Sequence, residues 1–122
     1  MIGYTTLGTN DFAKATAFYD ALFASIGIKR LWDSPKMVGW GTSMSQPSFV
    51  ICNPFNGEPA TPGNGTMVAI ALKDPAQVDA LHQKALQLGA TDEGAAGPRG
   101  SSFYCGYIRD FDGNKLNLFC LI

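Results

Sequence analysis

The sequence predicts an α+β protein in which one βαβββ plan occurs twice. Two amphipathic helical stripes stand in corresponding places, one in each half, each preceded by a capping residue and ended by a glycine. Each stripe follows a short apolar or β-branched run and is followed by further strand-like runs. Between the halves, Pro54 to Gly65 holds three prolines and three glycines and reads as a surface linker. The expected limits are a first module over about residues 1–57, the linker over 54–65 and a second module over about 66–122, together forming one domain.

Ile2 to Gly8 is the first strand. Asn10 and Asp11 offer N-cap side chains, and apolar residues then fall at Phe12, Ala15, Phe18, Tyr19, Leu22, Phe23 and Ile26. These steps of three and four define one helix face, and Gly27 can end the helix in a left-handed conformation. Lys29 to Asp33, Met37 to Thr42 and Ser48 to Asn53 follow as three strands, punctuated by Ser34-Pro35 and Gln46-Pro47. After the linker, Thr66 to Leu72 is a strand. Asp74 caps a helix with Pro75 at its first position, where a missing N–H loses no bond. Val78, Leu81, Ala85 and Leu88 form its stripe, and Gly89 ends it. Gly94 to Ser102 reads as a Gly/Pro-rich loop. Phe103 to Ile108, the turn at Asp110 to Asn114 and the apolar run through Phe119 read as a closing β-hairpin. Each half has one helix and cannot cover both faces of its sheet alone.

Composition narrows the function. The chain has 122 residues, 46% hydrophobic and 16% charged, with a formal net charge of −1. That balance suits an ordinary globular protein and lacks the basic patch of a nucleic-acid binder. The apolar runs are too short to span a bilayer, and Met1-Ile2-Gly3-Tyr4 does not begin a secretory signal, so a cytoplasmic location is expected. The three cysteines, Cys52, Cys105 and Cys120, form no C-x-x-C pair, so they read as small buried residues rather than a disulfide framework or zinc site. His82, the only histidine, reads as a helix-flank residue.

The pattern T-N-D-x-x-x-A-x-x-F-Y (Thr9 to Tyr19), then G-N-G (Gly63 to Gly65), V-D-A-L-H (Val78 to His82) and R-D-x-D-G-N-K-L (Arg109 to Leu116) resembles the vicinal oxygen chelate superfamily. That group contains glyoxalase I-like lyases, extradiol dioxygenases and bleomycin-resistance proteins. The resemblance covers essentially the whole chain, with Phe111 where the turn commonly has proline. It implies two βαβββ modules forming a curled mixed sheet, a cup, with helices on the outer face. Metal-dependent members hold a divalent ion in that cup. Carried over, the ligand positions fall at Tyr4, Met67 and Asn117, with the fourth on Ser48 to Cys52, a segment without His, Asp or Glu. A phenol, a thioether and an amide make a poor set for a hard or borderline ion. The resemblance therefore implies the fold with no metal and no cofactor.

Strand alternation assigns faces. With Asn117 toward the cup, Lys115 and Phe119 join it, and Leu116, Leu118 and Cys120 face the helix. With Met67 toward the cup, Ala69 and Ala71 leave room there. Trp40, flanked by Gly39 and Gly41, reads as a stacking platform or as a packed aromatic, and Trp32 as packing. Of Tyr104 and Tyr107 one lines the cup; Tyr107 is favoured, with Cys105 on its side. Arg99 reads as a loop residue able to meet an anionic group. The expected cup set is thus Tyr4, Trp40, Met67, Arg99, Tyr107, Lys115 and Asn117. The expected function is metal-free binding of a small molecule by a homodimer, without nucleic-acid or membrane partners. The alternatives are a metal-free enzyme, with Tyr4 or Tyr107 as acid and Lys115 or Arg99 steadying an anion, and a structural module whose cup is filled.

Overall fold

The computed structural model describes all residues, Met1–Ile122. The first strand of each half pairs in parallel with the last strand of the same half, so each sheet closes around its own helix connection. β1 (Tyr4–Gly8), α1 (Phe12–Ala24), β2 (Lys29–Asp33), β3 (Met37–Gly41) and β4 (Ser48–Cys52) form a sheet in the order β1-β4-β3-β2. β5 (Val68–Ala71), α2 (Pro75–Gln87), β6 (Thr91–Arg99), β7 (Phe103–Arg109) and β8 (Lys115–Leu121) repeat it as β5-β8-β7-β6. The two compact units are Met1–Pro62 and Gly63–Ile122. The βαβββ plan of the sequence is present twice, as two four-stranded mixed sheets with one helix each.

Both helices start where their capping residues stand. The Asp11 side chain accepts from the Lys14 N–H at 3.1 Å, and the Asp74 side chain accepts from the Gln77 N–H at 2.8 Å. Each cap satisfies a donor that has no partner within the helix, a contribution of about 1 kcal/mol. Beyond the helix ends, Gly27 and Gly89 take φ of 76° and 105°, where a side chain would be strained.

The two cores are chemically different. Under α1, Tyr19 sits among Phe18, Phe23, Trp40 and Phe49, at centroid distances of 4.8 to 5.7 Å. Under α2, the buried residues are mainly aliphatic: Val78, Leu81, Ile108, Leu116 and Leu118. Val38, Trp40, Phe49 and Ile51 occupy alternate positions on β3 and β4 and are buried, so this face packs on α1.

Three expectations are corrected. Gly94 to Ser102 is not a loop: residues through Arg99 belong to β6, paired with β7. The strand runs along the sheet edge with register shifts at Asp92/Gly94 and Gly94/Gly97, which accommodates its glycines and Pro98. The strand of the second half begins at Val68, so Met67 precedes it. Trp40 does not line the open face. It is 1% exposed, and its Nε1–H donates to Asp20 Oδ1 at 2.9 Å. The flanking glycines make room on the opposite face instead. A Cβ on Gly39 would lie 2.7 Å from Trp32 Cε2, and one on Gly41 would lie 2.9 Å from Leu31 Cδ1.

Candidate functional site

β7 and β8 create the main candidate surface. Their hairpin turn is fixed by Asp110, whose Oδ1 accepts from the Asp112 and Asn114 N–H groups at 2.9 and 3.0 Å. Its Oδ2 accepts from Asn114 Nδ2 at 3.0 Å. This buried cage fixes the strand register, and Tyr107 pairs with Asn117 across it. Alternation then separates the faces. Ile108, Leu116, Leu118 and Cys120 are buried on the helix side, and Tyr104 donates to Asp79 of α2 at 2.7 Å. Tyr107, Cys105, Lys115, Asn117 and Phe119 lie on the other face, opposite the helix.

Tyr107 gathers charge around its ring. The Arg99 guanidinium carbon lies 5.6 Å from the ring centroid and Lys115 Nζ lies 5.3 Å from it. Both are within cation–π range. Arg99, placed at the end of β6 rather than in a loop, donates to the Ala95, Gly97 and Pro98 carbonyls at 2.7, 3.1 and 3.2 Å. Burial pushes the Tyr107 phenol up, the neighbouring Cys105 thiol pushes the same way, and Arg99 opposes both. The phenol therefore stays protonated at neutral pH and serves as a hydrogen-bonding group rather than a base. Gly94, paired with Tyr107, has the ring against it: a Cβ there would lie 3.0 Å from Tyr107 Cδ2.

Asn117 completes this surface. It is 9% exposed, and its Oδ1 is buried without a hydrogen-bond partner. Its parallel neighbour on β5 is Ala69, which is exposed and small. An unsatisfied buried carbonyl oxygen is uncommon and marks a place where a donor is missing.

Of the seven expected residues, Arg99, Tyr107, Lys115 and Asn117 come together on this face. Met67 is 42% exposed and precedes β5. Tyr4, 59% exposed, lies on the first sheet, and Trp40 is in the first core. The carried-over ligand positions do not fit a divalent ion. They offer a phenol, a thioether and an amide, and no group of three or more His, Cys, Asp or Glu is placed to hold a metal.

Two features were missed in the sequence. Arg109 pairs with Glu93 at 3.0 Å and donates to the Gly113 carbonyl at 2.8 Å, which takes both charges out of play. The bulge that brings Glu93 to Arg109 leaves no periodic signal. The first unit also has a cleft of about 740 Å³ between the ends of β1 and β4 and the segment from Asn53 to Thr61. That segment is clasped by Asn10, which accepts from the Ala60 N–H at 2.7 Å and donates to the Ala60 carbonyl at 3.1 Å. Gly8 is required there, because a Cβ would lie 2.9 Å from Ala60 Cβ. The three prolines and three glycines marked a surface linker, but only Asn10 shows where it is anchored.

The sequence model of the Glyoxalase/Bleomycin resistance protein/Dioxygenase superfamily matches residues 1–118. A glyoxalase/bleomycin resistance protein from Albidiferax ferrireducens T118 is 32% identical, with a TM-score of 0.89 and 98% of each chain covered. A glyoxalase/bleomycin resistance protein/dioxygenase family enzyme from Burkholderia phytofirmans PsJN shares the fold at 20% identity and a TM-score of 0.78, with 98% of each chain covered. A lactoylglutathione lyase from Agrobacterium tumefaciens shares it at 22% identity and a TM-score of 0.71, covering 98% of this chain and 92% of that one. No curated protein matches the chain. Taken with the twofold βαβββ topology, the match over residues 1–118 means that the chain belongs to the Glyoxalase/Bleomycin resistance protein/Dioxygenase superfamily.

Proposed function

We propose that this protein binds a small organic molecule on the open face of its second sheet, without a divalent metal, and that it does so as a homodimer. The observation that carries the reading is the unpartnered Asn117 Oδ1, buried beside Tyr107 on a face that also presents the small side chain of Ala69. An oxygen left unsatisfied in the folded protein destabilises it by about 1–3 kcal/mol, which a ligand N–H or O–H would offset. The protonated Tyr107 phenol supplies a second hydrogen-bonding group and an apolar ring. The homodimer is supported by the open edges of both four-stranded sheets.

A thermal-shift screen over aromatic and amphipathic compounds tests the proposal, because ligands of the folded state raise its melting temperature. Asn117→Ala should abolish the shift while holding or raising the stability of the free protein. Tyr107→Phe should weaken it. Equal shifts in wild type and both variants would place binding elsewhere, and a stoichiometric divalent ion in purified protein would overturn the metal-free reading. Sedimentation at micromolar concentration should give a dimer.

A further inference from the structure

We propose that the molecule bound on this face is an organic oxyanion, a carboxylate or phosphate ester, held by Lys115 and Arg99 beside Tyr107 and presenting an N–H or O–H to Asn117. The inference rests on the binding function proposed above and adds the charge of the ligand. Two cations, Arg99 and Lys115, lie over the Tyr107 ring, and neither is neutralised. Arg109 is matched by Glu93, whereas Lys115 and Arg99 have no acidic partner.

Arg99 is set for the task. Its contacts with the β6 carbonyls are made through Nη1 and Nη2 and none of them uses Nε–H, which is left to donate to an acceptor. Its orientation is fixed before any ligand arrives, so little side-chain freedom is lost on binding. Lys115, two residues before Asn117 on the same strand face, adds a mobile point charge. Two unneutralised cations on one ring repel each other and disfavour a cationic ligand, while an anion between them relieves the repulsion. The orphan Asn117 oxygen adds a separate demand: an acceptor on the protein needs a donor on the ligand. An anion with a nearby hydroxyl or amine meets both demands.

Matched probes test this. Salicylate, mandelate and phenyl phosphate are compared with methyl salicylate, methyl mandelate and phenol by thermal shift and calorimetric titration at about 50 mM salt. The acids should bind and the neutral partners should not, and affinity should fall as salt shortens the screening length to about 3 Å at 1 M. Lys115→Gln and Arg99→Gln should each weaken binding about tenfold, which is about 1.4 kcal/mol. Lys115→Arg should retain it. Response to phenyl phosphate but not to the carboxylates, or the reverse, identifies which oxyanion is taken. Neutral compounds binding as well as the acids, or unchanged affinity in Lys115→Gln, would overturn the anion inference while leaving small-molecule binding intact. Binding of neither set would overturn both.

Discussion

Asp20 shows how much one side chain can organise. Its two oxygens accept from Arg30 at 2.8 and 2.6 Å, and Oδ1 also accepts from Trp40, so α1, β2 and β3 meet at one carboxylate. The Arg30 hydrogen bond holds the Asp20 carboxyl below its ordinary value, burial opposes it, and Trp40 reinforces the lowering. A carboxylate lowered by folding contributes stability that is fully present above the ordinary range near pH 4. That stability is lost as pH falls through the lowered value. Asp20→Asn should therefore lower stability at pH 7, modestly because the half-exposed pair is screened by solvent, and should flatten the acid limb of a urea-unfolding series below about pH 4, where the difference from wild type shrinks. An acid limb identical to wild type would contradict this assignment. Faces were legible at this scale wherever one side of a strand is aliphatic, as with Leu116 and Leu118 against Asn117. At Trp40 the sequence left a stacking platform and a packed aromatic both open, and the packed one is what the first core contains. In a strand its glycine neighbours point the other way, and they receive Trp32 and Leu31.

At the scale of elements, the caps were readable from single residues, since Asp11 and Asp74 each have a local partner. β6 was not readable, because Gly94, Gly97 and Pro98 are turn formers by intrinsic preference. Pairing along the whole of β7 overrides that preference at an edge, where a missing ladder hydrogen bond matters least. The contact between α2 and β7 is equally hidden in the sequence. His82 is buried with its ring against Gly106, where a Cβ would lie 2.9 Å from His82 Cδ2. His82 Nε2 comes within 3.3 Å of Asp92 Oδ1, without hydrogen-bond geometry, so packing rather than pairing defines its place. Gly106→Ala should then destabilise by about 1–3 kcal/mol through overpacking. His82→Ala in the same chain should recover much of that loss, giving a coupling above about 0.5 kcal/mol in a denaturant double-mutant cycle. Additive effects would mean that the two residues do not share the space.

At the scale of the molecule, the repeat was legible because helix periodicity, caps and the Pro/Gly-rich connection agree with one another. The difference between the two cores was not drawn from the sequence, although the helix stripes carry it, with Phe18, Tyr19 and Phe23 in the first and Val78 and Leu81 in the second. Both tryptophans, Trp32 and Trp40, lie in the first unit, while Tyr107 and the proposed ligand seat lie in the second. Tryptophan emission should therefore follow unfolding of residues 1–62, whereas far-UV circular dichroism follows both units. Coincident denaturant midpoints would show a single cooperative transition, and separated midpoints would show two. The join between Pro62 and Gly63 has a practical meaning for protein engineering. Residues 63–66 are exposed, and Gly63 and Gly65 already turn the chain at φ of 74° and 89°. Lengthening such a connection costs only about 0.6 kcal/mol for each doubling of its length. A peptide tag or reporter domain spliced in at this point would leave both βαβββ ladders uncut, making the boundary between the units a natural port for fusions.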